Sequence, residues 1–205
     1  ERATLVVGEI NHQVPHTLGD TLVHVDDFDY LVQSTEPPIY FPRWPVNGVF
    51  DRLGANVASL IPDGSCLAFS IAPIFDALVG HLVKKRHLGV HTPFLTDALM
   101  DLVKSGAVTN RHKSVFRGKS LTAYALGSPE LMRWLDRNPL IEFQSIDVVA
   151  DPKRIGANDR FMVVLPARKI DLTGGIALHT GRGNVGAGPG EAQEYFTGAA
   201  FSNGG

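Results

Sequence analysis

Apolar and polar positions alternate along this chain in short blocks whose period changes after the first fifth. Thr4–Ile10 is β-branched and apolar, which predicts a strand, and Asp29–Gln33 predicts a second. Pro15, Gly19 and Asp20 mark the loop between them. From Glu36 to Pro45 the chain carries Pro37, Pro38, Pro42 and Pro45. Proline fixes φ and has no N–H to donate, so this stretch reads as an extended linker, and a domain boundary is expected there, dividing 1–45 from 46–205. The period then becomes helical: Val46–Leu60 places Val49, Leu53, Val57 and Leu60 on one face. Ser65–Ile71 predicts a strand, Ile74–Lys85 a helix and Gly89–His91 a brief strand. Leu95–Lys104 predicts a helix with Thr92 as N-cap and Gly106 as C-cap. Ser120–Leu126 predicts a strand, Pro129–Asp136 a helix with proline in its first turn, and Glu142–Val149 and Phe161–Leu165 two more strands. Beyond Leu165 the chain reads as glycine-rich and irregular.

Strands that alternate with helices imply βαβ units: an α/β fold with a mainly parallel sheet and helices on both faces. Ligands of such sheets bind beyond the carboxyl ends of the strands. Here those ends are the loops after Ile71, after His91 and after Leu126.

Composition narrows the class of partner. The chain has 205 residues, 44% hydrophobic and 20% charged, enough to bury a core and far from a disordered composition. A net charge of −2 gives no basic excess, so neither a nucleic-acid nor a membrane-surface partner is expected. No apolar run is long enough to span a bilayer. The single cysteine, Cys66, allows no intrachain disulfide and suits a cytoplasmic location. A start at Glu1 without methionine and an end at Gly204-Gly205 read as an excerpt of a longer polypeptide.

Gly181-Arg182-Gly183-Asn184-Val185-Gly186 matches the spacing of a dinucleotide loop. It runs into Gly188-Pro189-Gly190, which no helix would tolerate, so the nicotinamide and flavin readings are rejected. An anion-holding glycine loop or a plain flexible loop remains. Arg117-Gly118-Lys119-Ser120 has lysine where a P-loop would need its first glycine, at Lys113, and leads into a strand, so a basic turn is expected instead. His12 and His16 lack a third ligand at matching spacing, so no metal is expected. There is no G-x-S-x-G elbow. His91 falls at a strand end just before a helix start, a good position for chemistry on negative charge. The plainer reading, a packed turn histidine, is preferred on sequence alone. Asp97 and Asp101 lie one turn apart on the following helix; a solvated face is preferred for Asp101, and Asp97 stays open between that and a carboxylate near a ligand.

An ordered series of segments resembles the acetyl-CoA hydrolase/transferase family, which includes acetate, succinate and 4-hydroxybutyrate CoA-transferases. Thr17-Leu18-Gly19-Asp20 and Asp29-Tyr30-Leu31-Val32 are similar to the end of its N-terminal half. Gly89-Val90-His91-Thr92, Thr96-Asp97-Ala98-Leu99-Met100-Asp101, Gly106–Asn110, Ala125–Ser128, Asn138-Pro139, Asp151-Pro152, Asn158-Asp159 and Asp171–Gly174 are similar to its C-terminal half. The resemblance implies the CoA-transferase type of α/β fold (NagB/RpiA/CoA-transferase-like), with an active site between two related halves. It also implies covalent catalysis, in which a glutamate attacks an acyl-CoA thioester while glycine-loop N–H groups hold the oxyanion.

The family's glutamate follows G-x-H-[ST], and that position here is Pro93. Proline offers no nucleophile, and Asp97, a helical turn further on at roughly 6 Å of axial rise, is displaced from it. The family's G-I-G-A loop reads Ser70-Ile71-Ala72-Pro73 here, and the third glycine loop reads Gly186-Ala187-Gly188-Pro189-Gly190 followed by Glu191. The resemblance therefore implies Ser70, Ile71, Ala72, Gly186, Gly188 and Gly190 as CoA-binding positions, with His91 and Asp97 as catalytic candidates and no certain nucleophile. Coenzyme A is expected as substrate or ligand, with no tightly bound cofactor. The expected partners are the other half of the same polypeptide and further copies in a homo-oligomer. Three readings stand: an acyl-CoA hydrolase or transferase with altered chemistry, a non-catalytic CoA-binding or regulatory module, and the same fold turned to another ligand such as a sugar phosphate.

Overall fold

The computed structural model describes residues 3–178 and 190–205. At its centre three parallel strands stand side by side in the order β4-β3-β9. These are β3 (Cys66–Phe69), β4 (Gly89–Val90) and β9 (Phe161–Val164). Each residue of β3 is buried, and its side chains alternate between two cores. Leu67 and Phe69 enter a large apolar cluster, whereas Cys66 and Ala68 enter a smaller one with Ile155, Phe161 and Tyr195. A strand buried on both faces is what a parallel sheet covered by helices on both sides requires.

The larger core is covered by α1 (Gly48–Leu60), α2 (Ile74–Leu82), α3 (Asp97–Lys104) and α4 (Pro129–Leu135). The smaller core is covered by α5 (Ile146–Val149), α6 (Pro152–Gly156) and α7 (Ala192–Phe201). Two further parallel pairs extend the sheet region: β5 (Phe94–Leu95) with β7 (Tyr124–Ala125), and β6 (Ser120–Thr122) with β8 (Ile141–Phe143). A bridge from His91 to Leu121 joins β6 to the β4 edge, and a bridge from Gly19 to Phe143 brings the N-terminal segment against β8. That segment also holds a separate parallel ribbon of β1 (Val7–Asn11) and β2 (Tyr30–Ser34). The only antiparallel pair among the described residues is the small hairpin β10 (Lys169–Ile170) with β11 (Ile176–Ala177).

Five expectations are corrected. Val49, Leu53 and Leu60 do not form the buried face of α1; Val49 is 64% and Leu60 73% exposed. The helix buries Gly54 and Ala58, with Phe50 and Val57 packed beside them. Small residues win because a Cβ on Gly54 would lie 2.9 Å from Leu78 N, so α1 meets α2 backbone to backbone. Glu142–Val149 is not one strand: β8 ends at Phe143, Ser145 takes extended dihedrals, and Val149 N donates to Ser145 O to open α5. Ser120–Leu126 breaks at Ala123, because Ala123 N and Tyr124 N both donate to Pro93 O and the chain changes partner strand. The region after Leu165 is not wholly irregular, since it contains the hairpin and the ten-residue α7. The cap of α3 also moves, from Thr92 to Thr96, as Phe94-Leu95 forms β5 first. Gly106 follows α3 with φ 82°, the left-handed turn that ends the helix.

Candidate functional site

The C-terminal ends of β3, β4 and β9 open into one pocket of about 630 Å³. Its walls are the loop Ser70–Pro73 after β3, Pro93-Phe94 after β4, and Leu165-Pro166 with Arg168 after β9. Trp44 from the proline-dense strap and Gly190, Glu191 and Tyr195 at the start of α7 close the remaining sides. Ser70, Ile71 and Ala72, together with Trp44, also line a second recess of about 100 Å³, so the two spaces share a wall. Arg43, Asp76 and Asp97 supply the charged side chains of the recess.

The strap is fastened by few but specific contacts. Phe41 N donates to Gly127 O at 3.0 Å. Arg43 makes a two-pronged contact with Asp101, one prong at 3.2 Å, and its guanidinium stands 3.7 Å from both Asp97 and Glu130. Asp101 is thus a partner of Arg43 rather than a free solvated carboxylate. Asp76 carries a carboxyl whose pKa is raised, first by burial and then against the pull of Arg43.

His91 lies inside the protein and is absent from the pocket wall. Its Nε2 donates to Val149 O at 2.7 Å, and its Nδ1 accepts from Asn158 Nδ2 at 3.2 Å. Phe161 meets the imidazole edge-on, with ring centroids 5.7 Å apart. Burial, then the nearby Lys113 ammonium, push its pKa from the ordinary 6.5 down to about 3. The ring is neutral, fully bonded and packed. It carries the turn by tying β4 to α5 and to Asn158, which in turn accepts from Ser114 N. Thr92 does similar work: Oγ1 donates to Phe69 O at 2.8 Å and accepts from Phe69 N at 3.1 Å, so the loops after β3 and β4 share one register.

Asp97 is also committed. Oδ1 accepts from Ser128 Oγ at 2.5 Å and Oδ2 accepts from Ser128 N at 2.8 Å, while Ser128 itself caps α4. The carboxylate therefore joins the N-termini of α3 and α4 beside the recess. Lys113 is buried next to Cys66, with Nζ donating to Val90 O and Lys119 O. Burial lowers the Lys113 pKa to about 8 and raises that of Cys66 to about 12.

The structure thus brings Ser70, Ile71, Ala72, Pro93 and Gly190 to one pocket, and places His91 and Asp97 behind it and beside it. Gly186, Gly188 and the glycine run Gly181–Gly186 lie outside the described residues. Arg117–Ser120 is a basic turn entering β6, with Lys119 Nζ on Glu142 Oε2 at 2.6 Å. Trp44, Tyr195 and Arg168 were not legible as site residues, because none stands in a motif. The wall contains a single carboxylate among the described residues, Glu191.

Comparison with known proteins agrees with this architecture. A family model described as acetyl-CoA hydrolase/transferase C-terminal domain matches residues 127–205. The 4-hydroxybutyrate coenzyme A transferase of Clostridium kluyveri is 34% identical over 205 residues, which is 100% of this chain and 48% of that protein. The succinyl-CoA:cyclohexane-1-carboxylate CoA transferase of Geobacter metallireducens is 32% identical over the same length, 47% of that protein. Among solved structures, RipA from Yersinia pestis superposes with a TM-score of 0.90 at 29% identity, covering 99% of this chain and 45% of that one. A 4-hydroxybutyrate CoA-transferase from Porphyromonas gingivalis gives 0.86 at 31% identity, covering 98% and 48%. The chain spans about half the length of the curated relatives it matches, and corresponds to their C-terminal half. With its covered parallel sheet and the pocket at the strand ends, the chain is similar throughout to the C-terminal half of CoA-transferases, and residues 127–205 match the acetyl-CoA hydrolase/transferase C-terminal domain.

Proposed function

We propose that this chain forms the C-terminal wall of an acyl-CoA site and binds an acyl-CoA thioester or free CoA in the 630 Å³ pocket. The observation that carries the reading is the convergence of Ser70–Ala72, Pro93 and Gly190, distant in sequence, on one pocket at the strand ends. Gly186 and Gly188 belong to the CoA-binding set by resemblance. Pro93 holds the position of the family's glutamate, so the usual route through an acyl-glutamyl anhydride has no starting group at residue 93. Binding without turnover is the reading the residues support best. A cytoplasmic location goes with it, supported by a lone, buried, unpaired cysteine.

The polypeptide's preceding half is the proposed partner. Parallel strands occur with both faces covered, yet Val7, Ile10, Tyr30, Leu31 and Val32 of the β1–β2 ribbon are exposed. Elements of a preceding half packed on the faces of this ribbon would cover them. A homo-oligomer rests on the resemblance alone.

One observation favours a catalytic reading instead. Glu191 shares the pocket with Pro93, and its side chain makes no cap bond to α7. In that reading a Glu191 carboxylate oxygen attacks the thioester carbonyl carbon and the C–S bond breaks. CoA leaves as a thiolate that takes a proton from solvent. Water then hydrolyses the anhydride, releasing the acid and restoring Glu191.

Calorimetry with CoA, and thioester loss with acetyl-, propionyl- and butyryl-CoA, test both readings on the intact polypeptide. CoA binding without turnover supports the first. Turnover that disappears in Glu191→Gln, with Glu191 converted to a hydroxamate when hydroxylamine is added during turnover, supports the second. Neither binding nor turnover, or binding only of phosphosugars, overturns both.

A further inference from the structure

Beyond β9 the chain leaves the pocket rim as the hairpin of β10 and β11, which pair with each other and with no other strand among the described residues. Its stems are anchored: Arg168 and Leu178 line the pocket, and Arg168 N donates to Ala177 O at 3.0 Å. Its turn is locked. Asp171 Oδ1 accepts from Thr173 N, Thr173 Oγ1 and Gly175 N at 2.9, 2.7 and 2.8 Å, and Gly174 supplies a left-handed φ of 88°. The hairpin is therefore shaped by its own residues.

What it displays is apolar. Ile170 and Ile176 stand directly opposite each other, so their side chains share one face. They are 69% and 62% exposed, and Leu172 in the turn projects fully into solvent. None of the three joins either core. A single exposed leucine needs no explanation, but three large aliphatic side chains gathered on one protruding turn mark a contact surface. A two-stranded hairpin alone in water is also marginally stable, and needs a further strand or a packed surface over its apolar face.

Size decides the kind of partner. An interface between separate chains takes about 20–30 residues a side. The segment Lys169–Ala177 is far smaller, and a free partner would also lose translational and rotational freedom on binding. A partner in the same polypeptide is already held close by its linkage, so a small apolar contact is enough. The chain spans about half the length of the curated relatives it matches and corresponds to their C-terminal half.

We propose that the hairpin Lys169–Ala177 is a docking arm for the preceding half of the polypeptide, inserting Ile170, Leu172 and Ile176 into an apolar recess of that half. The proposal rests on the preceding half inferred above and adds the surface that it meets. Because the stems line the pocket, docking at the tip also fixes Arg168 and Leu178 in the pocket wall.

The test is photo-crosslinking in the intact polypeptide, with p-benzoylphenylalanine placed at Leu172 in one sample and at the exposed Tyr30 of the β1–β2 ribbon in another. The probe at 172 should capture a peptide of the preceding half, in an adduct that keeps the mass of one polypeptide. An adduct of doubled mass would assign the arm to a second copy and overturn the proposal. Capture at 30 with none at 172 overturns the docking arm alone, and capture at neither removes the preceding half as well. Leu172→Asp, a change at a fully exposed position, should speed amide exchange of Lys169–Ala177 in the intact polypeptide by about tenfold or more, the loss of one buried aliphatic side chain, while β3 stays unchanged. Exchange that this variant leaves untouched overturns the proposal.

Discussion

His91 holds its imidazole neutral across the whole physiological range, and that has a measurable consequence. A base whose pKa falls from 6.5 to about 3 on folding binds its proton more readily in the unfolded chain. Between those values the unfolded state carries the extra proton, so stability rises with pH through this window and is lost as pH falls. The slope from this residue approaches about 1.4 kcal/mol per pH unit. Urea unfolding measured from pH 6.5 to pH 4.5 should show it, and His91→Gln should flatten it. The same substitution should lower stability at pH 7 by about 1–3 kcal/mol, because Val149 O and Asn158 lose a shaped partner. An unchanged slope in His91→Gln would assign the pH dependence to other groups. From sequence, the site of His91 was legible and its duty was not. Position at a strand end says where a ring sits, but only the partners on α5 and at Asn158 show that both nitrogens are occupied.

At the level of elements, the crossing of α1 and α2 shows what periodicity misses. A hydrophobic stripe marks Val49, Leu53 and Leu60, yet the contact is made at Gly54 and Ala58. Gly54→Ala should gain about 1 kcal/mol of helix propensity. Its methyl would meet the backbone of Leu78 and Ala77 at 2.9–3.0 Å, which cannot swing away as a side chain can. The clash should win, with net destabilisation of about 1–3 kcal/mol in chemical denaturation. A neutral or stabilising result would show that α1 can slide. The clamp at Asp97 offers a second measurement. Asp97→Ala removes two bonds to Ser128 from a 5% exposed carboxylate and should cost about 2–3 kcal/mol, whereas Asp101→Ala at the half-exposed Arg43 pair should cost under about 1 kcal/mol. Strands and helices with strong local signals, such as β3, α2 and α4, were legible in the sequence. The splits at Ala123 and at Gln144-Ser145 were not, because they are set by hydrogen bonds to Pro93 and by a helix start that a β-branched run conceals.

At the scale of the molecule, the covered sheet and the pocket at its carboxyl ends followed from the alternation of strand and helix. The convergence of the Ser70–Pro73 loop, Pro93 and α7 did not, since α7 lay in a stretch that glycine content marked as irregular. If the β1–β2 ribbon is finished by a preceding half, hydrogen exchange should distinguish the two contexts. Amides of Val7–Asn11 and Tyr30–Ser34 should be protected in the full polypeptide and exchange quickly in the 205-residue chain alone. Equal exchange in both would remove the ribbon from any larger sheet.

The strap that carries Trp44 to the pocket has a thermodynamic side as well. With prolines at 37, 38, 42 and 45, its unfolded chain already has few conformations to lose. Arg43 and Phe41 then fix it on α3 and Gly127. The indole is therefore set in place when the protein folds, and a ligand entering the pocket meets a pre-organised wall without bearing the entropy of ordering it.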